Sequence, residues 1–193
     1  MLIIGINGSC NVNGNTKFLL NKVLSKAESL GSKTAVIDVG EIMKDLKIPY
    51  CNACSNPCSK VCYKGTKLEE VYALMSSADA IVFGSPVYFG TVSAQLKAFF
   101  DKTRALRAEK KLYNKYGAAL AVAASKYGGQ ETTIKALHDM MLVQGMLVVG
   151  DGYIDDDCGH QGVAAQRLAE NDTIGINRAE ILGKRLFELC RKS

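Results

Sequence analysis

The sequence lacks the features of several large classes of protein. It contains no tryptophan, three prolines and two histidines in 193 residues, and no Pro/Gly/Ser-rich linker or fixed-period repeat divides it. No apolar run approaches the roughly 20 residues that span a bilayer. The apolar start of the chain, residues 1–7, has no charged stretch before it and no cleavage pattern after it. We therefore expect a single cytoplasmic domain over residues 1–193, with neither a signal peptide nor a membrane partner.

The sequence also lacks a strong bias of charge. Lys and Arg number 24 and Asp and Glu number 19, which gives a net charge of +5 with both signs interspersed. There is no block of like charge and no basic stripe with aromatic residues, which argues against a nucleic-acid partner. Partners must therefore be inferred from individual sites.

Apolar runs alternate with amphipathic segments along the chain, which is the pattern of a parallel α/β sheet. The predicted strands are Leu2–Asn7, Thr34–Val39, Ala80–Gly84, Ala118–Ala123 and Met146–Val149. The predicted helices are Phe18–Leu30, Lys67–Ser76, Val92–Arg104, Thr132–Gln144 and Arg178–Leu189. This order predicts a flavodoxin-like, doubly wound, five-stranded parallel sheet, in which ligands bind beyond the carboxyl ends of the strands.

The loop after the first strand, residues 8–16, is rich in small and polar residues and leads directly into a helix. Converging backbone N–H groups and the positive end of the helix dipole suit a phosphate. The spacing matches neither the Walker A pattern nor G-x-G-x-x-G, which favours flavin mononucleotide (FMN) over a nucleoside triphosphate or a dinucleotide. The candidate FMN contacts are Ser9, Asn11, Asn13, Gly14, Asn15 and Thr16. The alternative is that Asn15 or Thr16 simply caps the helix.

Two further strand-end loops have unusual sequences. After the third strand, Tyr88 and Phe89 precede Gly90, an arrangement suited to flanking a planar ring or filling a subunit interface. The alternative is ordinary core packing, which we expect for one of the two aromatics. After the fourth strand, residues 125–132 contain paired glycines and a lysine, which permits a close approach of backbone to ligand. The candidate FMN contacts here are Pro86, Val87, Tyr88, Phe89, Gly90, Ser125, Lys126, Gly128 and Gly129.

Four of the seven cysteines, Cys51, Cys54, Cys58 and Cys62, lie within twelve residues. This crowding argues against a disulfide framework and for a metal centre. A single irregular loop after the second strand, residues 49–65, can present all four thiolates to a [4Fe-4S] cluster. A structural zinc site is the alternative, although zinc modules usually separate their ligand pairs by a longer stretch.

Nearly the whole chain resembles the flavodoxin-like, NAD(P)H-dependent FMN reductase superfamily. The resemblance is carried by Gly8-Ser9, Gly14-Asn15-Thr16, Ser85 to Gly90, Leu96-Lys97, Asp101, Gly117 to Ala119, Gly128 to Ile134, His138 and Met146 to Asp151. With the cysteines added, the chain is similar to the iron-sulfur flavoproteins of anaerobic archaea and bacteria. Cys10 and Asn11 stand where family members usually carry Pro-Arg, so a phosphate-neutralising arginine is missing. Lys17 and Lys126 are the candidates to replace it.

The resemblance implies an FMN-dependent oxidoreductase whose [4Fe-4S] cluster is reduced by a ferredoxin-type donor. Electrons would pass through FMN to a small acceptor such as oxygen, peroxide or a quinone. We expect a homodimer or homotetramer, with the cluster near a neighbouring subunit's flavin. Two alternatives stay open: an NAD(P)H-dependent FMN or quinone reductase, and a non-catalytic flavin-binding redox sensor or interaction scaffold.

The remaining candidates receive simpler interpretations. Cys190 is expected to pack in the last helix, whereas Cys10 lies in the phosphate loop, where a thiol could be reactive. Residues 151–172 form a variable segment before the C-terminal helix. Within it, the acidic run at 155–160 is interpreted as a solvated loop, with a second metal site as the alternative. His138 is expected to be a packing residue.

Overall fold

The computed structural model describes residues 1–192. In this part of the chain the strands are β1 (Leu2–Asn7), β2 (Lys33–Asp38), β3 (Ala80–Pro86), β4 (Tyr116–Ala123), β5 (Leu147–Val149) and β6 (Val163–Gln166). The helices are α1 (Asn15–Ser29), α2 (Val39–Lys44), α3 (Lys67–Ser77), α4 (Ala94–Asp101), α5 (Arg104–Ala108), α6 (Gln130–Leu142) and α7 (Thr173–Lys192), with a 3₁₀ turn at Ala169–Asn171. No helix within residues 1–192 is long and apolar enough to cross a membrane.

The strands form one parallel sheet in the order β2-β1-β3-β4-β5, with β6 also paired to β4. Two apolar clusters cover its faces, one formed with α1 and α7 and the other with α3, α4 and α6. Parallel strands need this double cover because both of their faces are apolar. The order reverses direction between β1 and β3, so the predicted flavodoxin-like, doubly wound fold is confirmed.

The fifth position of the sheet is divided between two strands. β5 pairs with the first half of β4, and β6 pairs with the second half. Residues 150–162 leave the sheet between them. The predicted variable segment at 151–172 therefore contains a strand and a 3₁₀ turn that the sequence pattern did not indicate, because β6 is only four residues long.

Several predicted bounds were wrong for identifiable reasons. The strand predicted to end at Val39 ends at Asp38, because Val39 begins the unpredicted helix α2. The helix predicted from Val92 to Arg104 is divided into α4 and α5. The last helix begins five residues before its predicted start, at Thr173, where the carboxylate of Asp172 accepts a hydrogen bond from the Gly175 N–H at 2.9 Å.

Helices α3 and α4 begin with side-chain caps. The hydroxyl of Thr66 accepts from the Leu68 N–H, and that of Ser93 accepts from the Leu96 N–H, both at 3.2 Å. Each cap satisfies one of the N–H groups that have no partner inside the helix.

Helices α1 and α6 begin differently. Their cap positions are Gly14 and Gly129, and no side-chain cap bond is formed at either within the described residues. The alternative that Asn15 or Thr16 caps the first helix is therefore wrong, since α1 begins at Asn15. Both helices present unsatisfied N–H groups at the carboxyl edge of the sheet, where an anion is stabilised.

Candidate functional site

Three loops meet at the carboxyl edge of the sheet: loop 1 (residues 8–14), loop 2 (residues 87–93) and loop 3 (residues 124–129). The Gly8 N–H donates to the Gly84 carbonyl at 2.8 Å, and the Ser93 hydroxyl donates to the Gly8 carbonyl at 2.5 Å. The Thr132 hydroxyl, just after loop 3, donates to the Gly90 carbonyl at 2.8 Å. The fold therefore brings the three predicted FMN loops into contact.

The polar side chains of loop 1 form hydrogen bonds within the loop itself. The Asn11 N–H donates to Ser9 Oγ at 3.1 Å, and the Asn13 N–H donates to Asn11 Oδ1 at 3.0 Å. Gly14 closes the loop by donating to the Asn11 carbonyl at 3.1 Å, and a Cβ there would lie 3.2 Å from that oxygen. Ser9 and Asn11 therefore shape a tight turn in front of the α1 N-terminus.

The first three residues of α1 are engaged with neighbouring elements. Asn15 Oδ1 accepts a hydrogen bond from the Ala169 N–H at 2.7 Å, and Thr16 is only 2% exposed. The Lys17 ammonium donates to the Asp38 carboxylate at 2.6 Å. Because its charge is already neutralised, Lys17 is a poor replacement for the arginine that is missing from loop 1.

Loop 2 contains a tight turn that exposes two aromatic rings. The Tyr88 N–H donates to the Thr91 carbonyl at 3.0 Å, and the Thr91 N–H donates back at 3.2 Å. Between them, Phe89 and Gly90 have φ values of 50° and 76°, as in a type I′ turn. Tyr88 is 43% exposed and Phe89 fully exposed, so the expectation that one of them packs in the core is wrong. An exposed bulky residue in the left-handed region indicates a contact with a ligand or a partner.

Loops 1 and 2 also meet through Cys10 and Tyr88. The Cys10 Sγ lies 3.5 Å from the Tyr88 hydroxyl, and this hydrogen bond raises the pKa of Tyr88 above its ordinary value. Cys10 is exposed. The Cys10 thiol, which the sequence indicated as a reactive candidate, therefore lies beside Tyr88, a predicted flavin contact.

Loop 3 is held by a buried glutamine. Gln130 Oε1 accepts from the Gly128 N–H at 2.9 Å, and Gln130 Nε2 donates to the Ser125 carbonyl at 2.7 Å. Gly129 has φ of 94°, and a Cβ there would lie 3.1 Å from the Cα of Gly90. A glycine is therefore required where loop 3 passes closest to loop 2.

A cavity of about 700 Å³ opens on the other side of loop 3. It is lined by Lys126, Tyr127, Gly129 to Thr132, Ala164 to Gln166 and Asn171 to Ile174. Lys126 and Tyr127 are exposed, with the ammonium 5.8 Å from the ring centroid. Of the predicted FMN contacts, Lys126 and Gly129 line this space, so it adjoins the predicted flavin site and offers room for a second ligand.

The cysteine segment, residues 49–65, connects α2 to α3 without regular secondary structure. Two side-chain contacts join it to α5 and the residue that follows it. Arg104 Nη1 donates to the Ser55 carbonyl at 3.4 Å, and Lys60 forms an ion pair with Glu109. The segment is therefore fixed to the fold mainly at these points and at its C-terminal end.

Two buried tyrosines border the cysteine segment. Tyr63 and Tyr72 are 3% and 2% exposed, and their rings meet edge to face at 5.1 Å. Burial and then the charge of Cys58 raise the pKa of Tyr63 to about 12. Burial also raises the pKa of Tyr72 well above its ordinary value, with contributions from Tyr63, Cys62, Cys51 and Cys58. Cys58 and Cys62 also pack against the apolar cluster that contains both rings.

The four thiols are not gathered into a metal site: across residues 1–192, no three His, Cys, Asp or Glu side chains lie close enough together to hold a metal ion. None of these cysteines forms a disulfide in the described chain. Ala53 and Lys60, with φ of 52° and 63°, turn the chain within the first and last cysteine spacings. Four thiols on one irregular segment are the donor set of an iron-sulfur cluster, so these residues fit that group chemically.

Sequence reasoning missed a charged cluster centred on Arg178 of α7. Its guanidinium donates to Asp151 at 3.0 Å and to Asp157 at 2.8 Å, and Nη2 lies 3.0 Å from His160 Nδ1. Asp151 is 1% and Arg178 is 8% exposed. The loop at 155–160 is exposed, as predicted, and a guanidinium lies among the carboxylates that suggested a metal site. The sequence contained a signal for this cluster: acidic residues follow an apolar strand, and an arginine lies on the next amphipathic helix.

Similarity to known proteins decides the family. The family model for NADPH-dependent FMN reductase matches residues 1–161. An iron-sulfur flavoprotein of Methanocaldococcus jannaschii is 40% identical over 194 residues, covering 99% of this chain and 98% of that protein. The chain belongs to the iron-sulfur flavoproteins of the NADPH-dependent FMN reductase family.

Two other similarities are partial or of low sequence identity. An NAD(P)H dehydrogenase (quinone) of Chromohalobacter salexigens is 44% identical over 107 residues, which are 52% of this flavoprotein and 53% of that enzyme. The solved flavodoxin, WrbA-like protein of Agrobacterium tumefaciens superposes with a TM-score of 0.70 at 23% identity, covering 99% and 97% of the two chains. The second comparison supports the flavodoxin-like fold alone.

Two other side chains of this flavoprotein behave as the sequence predicts for packing residues. Burial raises the pKa of the Cys190 thiol to about 11, and Cys190 packs against the apolar cluster formed with α1 and α7. Burial lowers the pKa of His138, which is half-buried on α6. Neither group adjoins loops 1 and 2.

Proposed function

We propose that this chain passes electrons between a [4Fe-4S] cluster and FMN and delivers them to a small acceptor. The observation that carries the proposal is the meeting of loops 1, 2 and 3 in front of α1 and α6, whose N-termini have no side-chain cap in the described chain. Full-length similarity to an iron-sulfur flavoprotein supports the addition of the cysteine segment to this site.

The residues at the carboxyl edge fit an FMN. The backbone N–H groups at the start of α1 would bind its phosphate, because Gly14 leaves them without a side-chain cap. The exposed rings of Tyr88 and Phe89 would lie against the flavin ring. Gly128 and Gly129 have no side chain, so loop 3 can approach the same ring closely.

The cluster ligands proposed are Cys51, Cys54, Cys58 and Cys62. When bound, the two groups supply single-electron transfer at iron and two-electron storage at the flavin. The chain's own contribution is exclusion of water. The buried pair Tyr63 and Tyr72 belongs to the apolar cluster against which Cys58 and Cys62 pack, so it forms an apolar wall beside these two thiols.

The electron source proposed is a ferredoxin-type donor, and the acceptor is oxygen, peroxide or a quinone. We propose a homodimer or homotetramer in which the cluster of one subunit lies near the flavin of another. Large apolar side chains support such contacts on both regions: Val61 of the cysteine segment is 70% exposed, and Tyr127 of loop 3 is 91% exposed. Seven cysteines without a disulfide in the described chain favour a reducing, cytoplasmic location.

The second candidate function is an NAD(P)H-dependent FMN or quinone reductase in which hydride enters the flavin directly. The cavity beside loop 3 favours it, because a second ligand there would lie next to the proposed flavin site. The half-length similarity to a quinone dehydrogenase points to the same chemistry.

Rapid mixing without oxygen distinguishes the two functions. Reduced ferredoxin and NADPH are each mixed with the wild type and with a Cys54→Ser variant while flavin absorbance is followed. If electrons pass through the cluster, reduced ferredoxin should bleach the flavin of the wild type rapidly and should not do so in the Cys54→Ser variant. Fast bleaching by NADPH in both proteins, with none by ferredoxin, would contradict the proposal and support the reductase. A flavin that no donor reduces would favour the sensor or scaffold.

A further inference from the structure

The interior contains a lysine without a partner. Within residues 1–192, four buried side-chain atoms have no hydrogen-bond partner, and they are Ser32 Oγ, Lys102 Nζ, His138 Nε2 and Gln144 Oε1. Lys102 is the only lysine among these residues, and it is only 2% exposed. Burial of an unpaired ammonium is costly, so the fold is expected to supply a compensating anion when the protein is complete.

Lys102 lies close to the tyrosine pair that borders the cysteines. It follows the last residue of α4, where its backbone N–H donates to the Phe99 carbonyl at 3.2 Å. The Tyr72 hydroxyl donates to this same carbonyl oxygen at 2.9 Å. Tyr72 in turn packs against Tyr63, which directly follows Cys62. One shared acceptor atom therefore joins the backbone of Lys102 to the wall of the cysteine segment.

The residues after Lys102 contact the same segment. Arg104, two positions later, donates to the Ser55 carbonyl at 3.4 Å, and Glu109 forms an ion pair with Lys60. These contacts hold the stretch 102–109 against the segment that carries the four cysteines. The backbone at Lys102 therefore lies next to elements that contact the cysteine segment on both sides of it.

The carboxylates nearest to Lys102 in the chain already have cationic partners. Asp101 accepts from Lys97 at 2.6 Å, and Glu109 pairs with Lys60. On the opposite side, the Thr103 hydroxyl accepts from the neutral side chain of Gln144 at 2.6 Å. No carboxylate among the described residues is hydrogen-bonded to the Lys102 ammonium.

We propose that Lys102 is a positioning residue for the redox reaction: its ammonium is the buried counter-charge of the iron-sulfur cluster. The inference rests on the proposed function. One electron added to a four-thiolate cluster takes its net charge from about −2 to about −3. A nearby buried cation stabilises the reduced form more than the oxidised form, which raises the reduction potential.

The test is a mediator-controlled redox titration of the loaded protein, followed by the EPR signal of the reduced cluster. The variants are Lys102→Met and Lys102→Gln, which remove the charge, and Lys102→Arg, which keeps it. Lys97→Met is the matched control, because it removes an exposed lysine from the same helix. We expect each neutral variant to shift the one-electron equilibrium at least tenfold toward the oxidised form, a fall of 59 mV. The arginine variant and the control should retain the wild-type potential.

Each outcome decides the proposal. Failure of both neutral variants to retain a cluster, with retention by the arginine variant, would also support the counter-charge. Unchanged potentials in the neutral variants would overturn it while leaving the proposed function intact, and so would loss of the cluster from the arginine variant as well. Absence of iron and sulfide from the wild type would overturn both the inference and the proposed function.

Discussion

The flavin edge and the cysteine segment are built in opposite ways. At the edge, loops 1, 2 and 3 are hydrogen-bonded to one another through backbone and hydroxyl groups. The cysteine segment has no regular secondary structure, and a few side-chain contacts to Arg104 and Glu109 anchor it. The difference teaches that the loops at the carboxyl edge hold one another in place, whereas the cysteine segment is held by its contacts with neighbouring elements.

The largest effect expected is loss of one centre with retention of the other. Each of Cys51→Ser, Cys54→Ser, Cys58→Ser and Cys62→Ser removes a proposed thiolate ligand, so each variant should lose the visible absorption of the cluster and keep its FMN. Cys158→Ser is the control, because that exposed thiol lies outside the segment. Iron and flavin contents measured under anaerobic conditions check the result. Loss of flavin together with the cluster would show that the two regions are not independent.

A matched pair of helix caps gives the next effect. The hydroxyl of Ser93 caps α4 and donates to the Gly8 carbonyl, so Ser93→Ala should lower the free energy of unfolding by about 2 kcal/mol and weaken FMN binding. Thr66 caps α3 and donates to the Tyr63 carbonyl in the cysteine segment. Thr66→Ala should lower the free energy of unfolding by about 1 kcal/mol and leave FMN affinity unchanged. Urea unfolding measures the stability of both variants, and flavin titration measures their FMN affinity. Equal losses of FMN affinity would contradict the difference drawn between the two regions.

A smaller effect is expected where loop 3 approaches loop 2. Gly129→Ala places a Cβ 3.1 Å from the Cα of Gly90 at a φ of 94°, at a cost of about 1–2 kcal/mol. FMN should therefore bind several-fold more weakly. Gly31→Ala is the control, since Gly31 has a φ of 109° and nothing within 4 Å of an added Cβ. Weakening of FMN binding by both substitutions would mean that general strain, and not loop contact, is responsible.

The smallest effect concerns residues 150–162, which are held to α7 by Arg178. The Arg178 guanidinium lowers the pKa of Asp157 below its ordinary value of 3.8. Because the folded-state pKa is the lower one, the pair stabilises the fold above that ordinary value and ceases to do so as the pH falls through the folded-state value. Asp157→Asn should therefore be less stable than the wild type at neutral pH, and the difference should vanish in strong acid. Thermal unfolding across pH checks this, with Asp155→Asn as control.

The sheet could be predicted from the sequence because buried parallel strands are continuous apolar runs. The segment Ile3 to Ile6, for example, is apolar and fully buried, as predicted. Strand β6 was not predicted because its four residues, VAAQ, are too few to show a periodic pattern. The short helix α2 escaped because it begins directly at the end of β2, with no loop to separate the two patterns.

The location of the site followed from strand order, but the partners of its charged residues did not. Lys17 pairs with Asp38 across 21 positions, and Arg178 pairs with Asp151 across 27. Such pairs depend on packing between elements that no local pattern records. The same limit applies to Lys102, whose burial could not be inferred from a helix end that also carries the exposed Lys97 and Asp101.

Metal and cofactor content of the anaerobically purified protein tests the central claim most directly. Iron, acid-labile sulfide, zinc and flavin are measured per chain in the same sample. Electron transfer between a cluster and FMN predicts about four irons and about four sulfides with one FMN. Zinc without sulfide, or iron and sulfide with no bound flavin, would contradict it.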